Sequence, residues 1–153
     1  MRIKNKLYLK FIIIFIIGII AIILYNNFSI IFVKGDSMSP TYQNGSILII
    51  NKNYKEINRN DIIVFKKNSY DIYIKRVIGL PNETIYCENR NIYINDISIK
   101  DNFGNTTDNF KKVTLKNNQY FVLGDNRNKS NDSRTIGFIS KNEIIGKIIF
   151  QIK

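Results

Sequence analysis

The sequence predicts a mainly β fold, an all-β domain carried behind a single N-terminal helix, and three observations predict it. An uncharged, almost wholly apolar run of 15 residues, Phe11 to Tyr25, follows the basic residues Arg2, Lys4, Lys6 and Lys10. From residue 28 onward the chain breaks into short runs rich in Ile, Val, Tyr and Phe, punctuated by Asn, Gly and Asp, which is how strands and turns alternate. The length, 153 residues, leaves room for one compact domain beyond such a helix but hardly for two.

The apolar run is about 22 Å long as a helix at roughly 1.5 Å per residue, short for a bilayer core of about 30 Å. Counting back to Leu7, with Lys10 snorkelling to the headgroups, gives about 28 Å, enough to span. No small-x-small cleavage pattern follows in Tyr25-Asn26-Asn27-Phe28, which favours an uncleaved transmembrane anchor over a removed signal peptide. The positive-inside rule then places the basic tip in the cytoplasm and the rest outside. Two units are expected: 1–27, basic tip and anchor, and 28–153, an extracytoplasmic domain.

Within that domain strands are expected near 28–33, 46–51, 61–65, 71–78, 84–87, 91–95, 97–99, 119–123 and 146–152, with a further short one at 113–115. Asn95-Asp96 and Glu88-Asn89-Arg90-Asn91 read as hairpin turns, and 102–109 reads as a loop. Ser140-Lys141-Asn142-Glu143 has capping-box spacing, but Gly146 follows too soon for more than a turn of helix. The run Phe28 to Val33 is apolar on both strand faces, so it is expected either to be fully buried or to dip into lipid.

Composition narrows the chemistry. The formal charge is +11, but four of the cations precede the apolar run, and no aromatic-basic recognition motif supports nucleic-acid binding. Cys87 is the only cysteine, so neither an internal disulfide nor a cysteine-based metal cluster can form; a semi-buried strand residue is the plain reading. The chain has no histidine, which excludes a Ser-His-Asp triad.

Val33-Lys34-Gly35-Asp36-Ser37-Met38-Ser39-Pro40-Thr41 sets one serine in a glycine-led turn straight after an apolar run, which makes Ser37 the candidate nucleophile. A serine hydroxyl needs a neighbouring base, and lysine is the candidate that remains. In Tyr73-Ile74-Lys75-Arg76-Val77-Ile78, strand alternation puts Lys75 on one face with Tyr73 and Val77. Partial burial there can bring its amine down by about two pKa units from roughly 10.4, at ~1.36 kcal/mol per unit. Spacing alone leaves Lys75 more readily read as a snorkelling surface lysine, one of many in this chain. It likewise leaves Gly124 to Arg134, with its hydroxyls, acids and arginines, readable as a polar loop shaped by an Asp132-Arg134 pair.

Together these stretches resemble the bacterial type I signal peptidases. The family's Gly-x-Ser-Met-x-Pro-Thr box matches Gly35 to Thr41, its Arg-Gly-Asp-Ile-Val-Val-Phe strand is echoed by Arg59 to Phe65, its Lys-Arg-Val-x-Gly-Leu-Pro box matches Lys75 to Pro81, and its Gly-Asp-Asn-Arg-x-x-Ser-x-Asp-Ser-Arg box matches Gly124 to Arg134. Gly137-Phe138 fits the Gly-Phe that follows. The resemblance implies a Ser37 nucleophile, a Lys75 general base aimed by a hydrogen bond from Ser130, and an oxyanion donor in the Ser37 backbone N–H. Tyr73 would pack beside Lys75, Met38 beside the dyad, and Asp132 with Arg134 would form a supporting ion pair. Gly35 stands where some relatives carry a serine as second oxyanion donor. Asn60 and Asn82 replace family glycines, and Asn is the residue that best tolerates positive φ after glycine.

With only 36 residues between Glu83 and Tyr120, the large cap of the Gram-negative enzymes is expected to be absent or reduced to a hairpin. The implied activity is removal of signal peptides from exported preproteins after small residues, by a monomer in the cytoplasmic membrane, without metal or cofactor. A dedicated peptidase for one client, such as a pilin or conjugation protein, and an inactive assembly factor on the same fold are the alternatives.

Overall fold

The computed structural model describes residues 2–68, 71–104 and 106–152, with side chains from residue 8 on. The side chains of Arg2, Lys4, Lys6 and Leu7, and the end residues Met1 and Lys153 of the two expected units, lie outside it.

The helix α1 (Arg2–Asn27) runs without a linker into strand β1 (Phe28–Phe32). No residue of its apolar portion, Tyr8–Asn27, is buried in the rest of the protein. The helix end is nonetheless fastened to the domain: Lys52 donates from its backbone N–H to Asn27 O (2.7 Å) and from Nζ to Tyr25 O (2.7 Å).

Two antiparallel sheets follow. Strands β2 (Ile47–Asn51), β3 (Ile62–Lys67), β4 (Asp71–Gly79), β9 (Gln119–Leu123), β10 (Ile139–Ser140) and β11 (Ile144–Ile152) join β1 in a seven-stranded sheet of order β1-β2-β11-β3-β4-β9-β10. Strands β5 (Thr84–Glu88), β6 (Asn91–Ile94), β7 (Ile97–Ile99) and β8 (Phe110–Thr114) form a second sheet of order β7-β6-β5-β8. The stretch between Glu83 and Tyr120 is thus more than a hairpin.

Alternation along β4 and β9 makes them the shared wall of two cores. Val77, Tyr120 and Val122 pack with Ile63, Phe65, Ile139 and Ile144 on one side. Ile78, Phe121 and Leu123 pack with Ile85, Ile92 and Ile94 of the second sheet on the other. Such burial on both faces is why these strands read as near-continuous apolar runs.

The turns follow from left-handed residues. Asn89-Arg90 (φ 50° and 66°) and Asn95-Asp96 (φ 50° and 66°) hold both central residues at positive φ, as a two-residue hairpin turn requires. Asn60 (φ 72°) and Asn82 (φ 67°) also occupy the left-handed region. The expected turn of helix at 141–143 is a 3₁₀ turn whose Glu143 carboxylate accepts from Ser140 N (2.6 Å).

Two expectations differ, and two short elements are not foreseen. The strand expected at 113–115 begins three residues earlier, because Phe110 stacks on Phe121 (5.0 Å) and extends the pairing with β5. The two-residue β10 and the one-turn helix α2 (Ser133–Ile136) carry no periodicity a sequence could show. Finally, β1 is neither fully buried nor wholly exposed. Its face bearing Ile30 and Phe32 is open, and these residues continue across the sheet as two apolar rows, Ile30-Ile49-Phe150 and Phe32-Ile47-Ile152. The apolar plate they form lies immediately beyond α1.

Candidate active site

Ser37 lies in the loop joining β1 to β2, and the loop is closed at its neck by backbone bonds. Val33 N donates to Ser46 O (2.9 Å) and Gly45 N to Val33 O (2.9 Å). Inside the loop, Gly35 takes φ 85°, a conformation that strains any residue with a Cβ, and its N–H is held by Asn44 Oδ1 (3.0 Å). Met38 is buried beneath the turn at 1% exposure.

Lys75 reaches this loop from the middle of β4. Its Nζ lies 2.8 Å from Ser37 Oγ and 2.9 Å from the carbonyl oxygen of Ile74, to which it donates. The side chain is 3% exposed, and its amine stands over the Tyr73 ring at 5.7 Å from the centroid. Burial pushes the Lys75 ammonium down to about 8 from its ordinary 10.5, with Asp132 and Asp125 offsetting part of the effect. Neither carboxylate pairs with it: each is engaged by an arginine. The neutral amine is therefore accessible near physiological pH, and in that form its lone pair has the geometry to accept a proton from the Ser37 hydroxyl across the same 2.8 Å.

The third component is the loop after β9. Asp132, fully buried, pairs with Arg134 (2.8 and 2.9 Å), accepts from Gly124 N (3.0 Å), and caps α2 through Arg134 N. Ser130 Oγ is buried and has no hydrogen-bond partner among the described residues, so the bond to Lys75 that the family resemblance implies is not formed here; the Lys75 amine turns to Ile74 O instead. Ser130 is still beside the dyad, as Gly124 shows. A Cβ on Gly124 would fall 2.1 Å from Ser130 Oγ and 2.6 Å from Ser37 O.

That squeeze makes a prediction. Gly124→Ala should push the nucleophile loop and Ser130 apart, costing about 1–3 kcal/mol from overpacking and on the order of a hundredfold in turnover from misplacement. Denaturant unfolding and kinetics measure the two losses. A variant with wild-type turnover would mean that the loops do not need this approach.

Sequence reasoning missed a buried ion pair. Arg76, on the face of β4 opposite Lys75, makes a bidentate pair with Asp125 (2.8 and 2.6 Å) at 5% and 1% exposure. Thr41 Oγ1 donates to the same carboxylate (2.5 Å), Arg76 Nη1 donates to Asn60 O (2.9 Å), and the guanidinium stacks 3.9 Å from the Phe103 ring centroid. Nearby, buried Arg127 donates to Gly124 O (3.0 Å), Asp101 (2.5 Å), Phe103 O (3.0 Å) and Thr107 Oγ1. These arginines lock the loop at 124–134 to the Ser37 loop and to the segment at 101–107. The alternation of β4 signalled that Arg76 faces away from Lys75; nothing local signalled a partner 49 residues on.

An open cleft of about 720 Å³ lies over the dyad, walled by residues 31–38 and 72–75 and lined also by Lys129 and Asn131. Among the described residues both walls carry free backbone edges: β1 ends its sheet, and β9 pairs with β4 only at Arg76, Val77 and Gly79, leaving the stretch before Lys75 unpaired on that side.

The family model of signal peptidase, peptidase S26, matches residues 6–152. Signal peptidase I S of Bacillus subtilis is 38% identical over 112 residues, covering 62% of this chain and 60% of its own length, so the match spans less than two thirds of that relative. Signal peptidase I of Bacillus caldolyticus is 38% identical over 125 residues, with 69% of each covered. The crystal structure of a signal peptidase I from Enterococcus faecalis superposes with a TM-score of 0.57 at 31% identity, covering 62% of this chain and 98% of that one.

Proposed function

Because the chain belongs to the signal peptidase family, peptidase S26, we propose that it is a membrane-anchored serine endopeptidase that removes signal peptides from exported preproteins, with Ser37 and Lys75 as its catalytic dyad. The observation that carries the reading is the 2.8 Å approach of a buried lysine amine, lowered to about 8, to the hydroxyl of Ser37.

In the acylation step Ser37 Oγ attacks the scissile carbonyl while neutral Lys75 takes the hydroxyl proton. The tetrahedral oxyanion is met by the Ser37 N–H, which has no acceptor among the described residues. The resulting ammonium returns its proton to the leaving amine, so the C–N bond breaks and an ester to Ser37 remains. Lys75, neutral again, then deprotonates a water that hydrolyses the ester and restores the hydroxyl. Asp132 and Arg134 hold the loop behind the dyad, and the 3% exposure of Lys75 keeps the amine poorly solvated.

The substrate lies extended in the cleft, its main chain pairing with the free edges of β1 and of β4 before Lys75. Small residues at the first and third positions before the cut are the family's preference, carried over to this chain. α1 is the transmembrane anchor, with the basic tip cytoplasmic and the domain outside. The apolar plate of β1, β2 and β11 rests in the outer leaflet, where its six side chains leave water. This placement holds the cleft at the membrane surface, where a signal peptide still in lipid can reach it.

The test is cleavage of a preprotein with an Ala-x-Ala site by the detergent-solubilised full chain beside its Ser37→Ala variant. Cutting after the second alanine by the wild type, with Ser37→Ala at background, is the expected result. A folded wild type that cuts nothing, or a serine variant that still cuts, would overturn the assignment.

A further inference from the structure

Given this function, the geometry points to Asn126 as the residue that positions the oxyanion donor of Ser37. The donor belongs to the peptide unit joining Asp36 to Ser37. In a planar trans peptide the C=O and N–H point in opposite directions, so whatever holds the Asp36 carbonyl also aims the Ser37 N–H. Asn126 Nδ2 donates to Asp36 O at 3.1 Å, and Asn126 N donates to Ser37 O at 3.0 Å. One residue of the loop at 124–131 thus grips two successive carbonyls of the nucleophile loop. Ser39 N adds a second donor to Asp36 O at 3.1 Å.

The consequence is both geometric and electronic. With Asp36 O drawn toward Asn126, the Ser37 N–H is turned the opposite way. Gly35 on the preceding side is pinned by Asn44 (3.0 Å), which leaves the peptide little freedom to flip. A donor on the carbonyl also polarises the peptide and strengthens the N–H at its other end. With Gly35 in place of a side chain that could supply a hydroxyl, the orientation and strength of this single N–H carry more of the oxyanion stabilisation. Asn126 touches no reacting atom; it acts through the peptide it holds.

The two bonds separate cleanly. Asn126→Ala removes the bond to Asp36 O and leaves the backbone bond to Ser37 O in place. Asn126→Asp keeps the shape but sets a carboxylate oxygen against the Asp36 carbonyl. Each variant should lower kcat about tenfold to a hundredfold, with KM unchanged, and weaken a peptide aldehyde, whose hemiacetal carries the oxyanion, by the same factor. The aspartate should be no better than the alanine. In a Ser37→Ala background, Asn126→Ala should leave the Kd of the uncut preprotein unchanged.

A readout independent of turnover is the amide ¹⁵N resonance of Ser37. In Asn126→Ala it should move upfield, because the carbonyl of its own peptide loses a donor. An unmoved Ser37 resonance, a loss confined to KM, or an aspartate variant that restores kcat would overturn the inference. If the wild type neither cuts nor binds aldehyde, the proposed function fails, and the Ser37 resonance still decides whether Asn126 orients that peptide.

Discussion

Lys75→Met is expected to abolish cleavage while making the domain more stable at neutral pH. Methionine fills nearly the same volume without a titratable group, so the loss isolates the base. A serine hydroxyl without its base should fall on the order of 10⁴-fold or more in kcat, which cleavage of the Ala-x-Ala preprotein would measure.

The stability change has the opposite sign. The folded pKa is about 8 and the ordinary value 10.5, so between those pH values the unfolded chain binds more protons and native stability rises with pH. Below about pH 8 both states are protonated, and the native state bears the full cost of a buried ammonium. At ~1.36 kcal/mol per unit, that cost is roughly 3 kcal/mol. Melting curves should place Lys75→Met above wild type at pH 7, with the gap closing toward pH 10.5. A variant less stable than wild type at pH 7 would mean that the amine is not desolvated.

The second large effect concerns the pair no local pattern revealed. Asp125→Ala should cost about 3–5 kcal/mol, the usual penalty for leaving a buried charge without its partner. Arg76, at 5% exposure, would face an empty site while Thr41 lost its acceptor. Because Thr41 ends the nucleophile box and Asp125 follows Gly124, turnover should fall with stability. Replacing Arg76 and Asp125 together by apolar residues of similar volume should recover much of the stability, since the desolvation cost of a buried pair commonly offsets most or all of its attraction. Denaturant midpoints of the single and double variants test this; a single variant within about 1 kcal/mol of wild type would count against a buried pair.

These cases show why some of the molecule is legible in the sequence and some is not. Strands with one or two buried faces announce themselves, and so do the Asn-based turns, where a local sterically permitted φ is the whole explanation. The nucleophile turn is readable because Gly35, Ser37 and Pro40 constrain one short segment. The approach of Lys75 to Ser37 is a contact 38 residues apart, visible in advance only through resemblance to a family. The Arg76-Asp125 pair and the grip of Asn126 on Asp36 depend on how β4 and the loop after β9 dock, and sheet order is not a local property. β10 and α2 are too short to carry a period.

The account's central claim is tested most directly by the pH dependence of kcat/KM for preprotein cleavage, from about pH 6 to 10. Since kcat/KM reports ionisations of the free enzyme, activity should climb tenfold per pH unit at low pH and bend to a plateau near pH 8, where half of Lys75 is neutral. A profile already flat from pH 6 upward would contradict a lysine base.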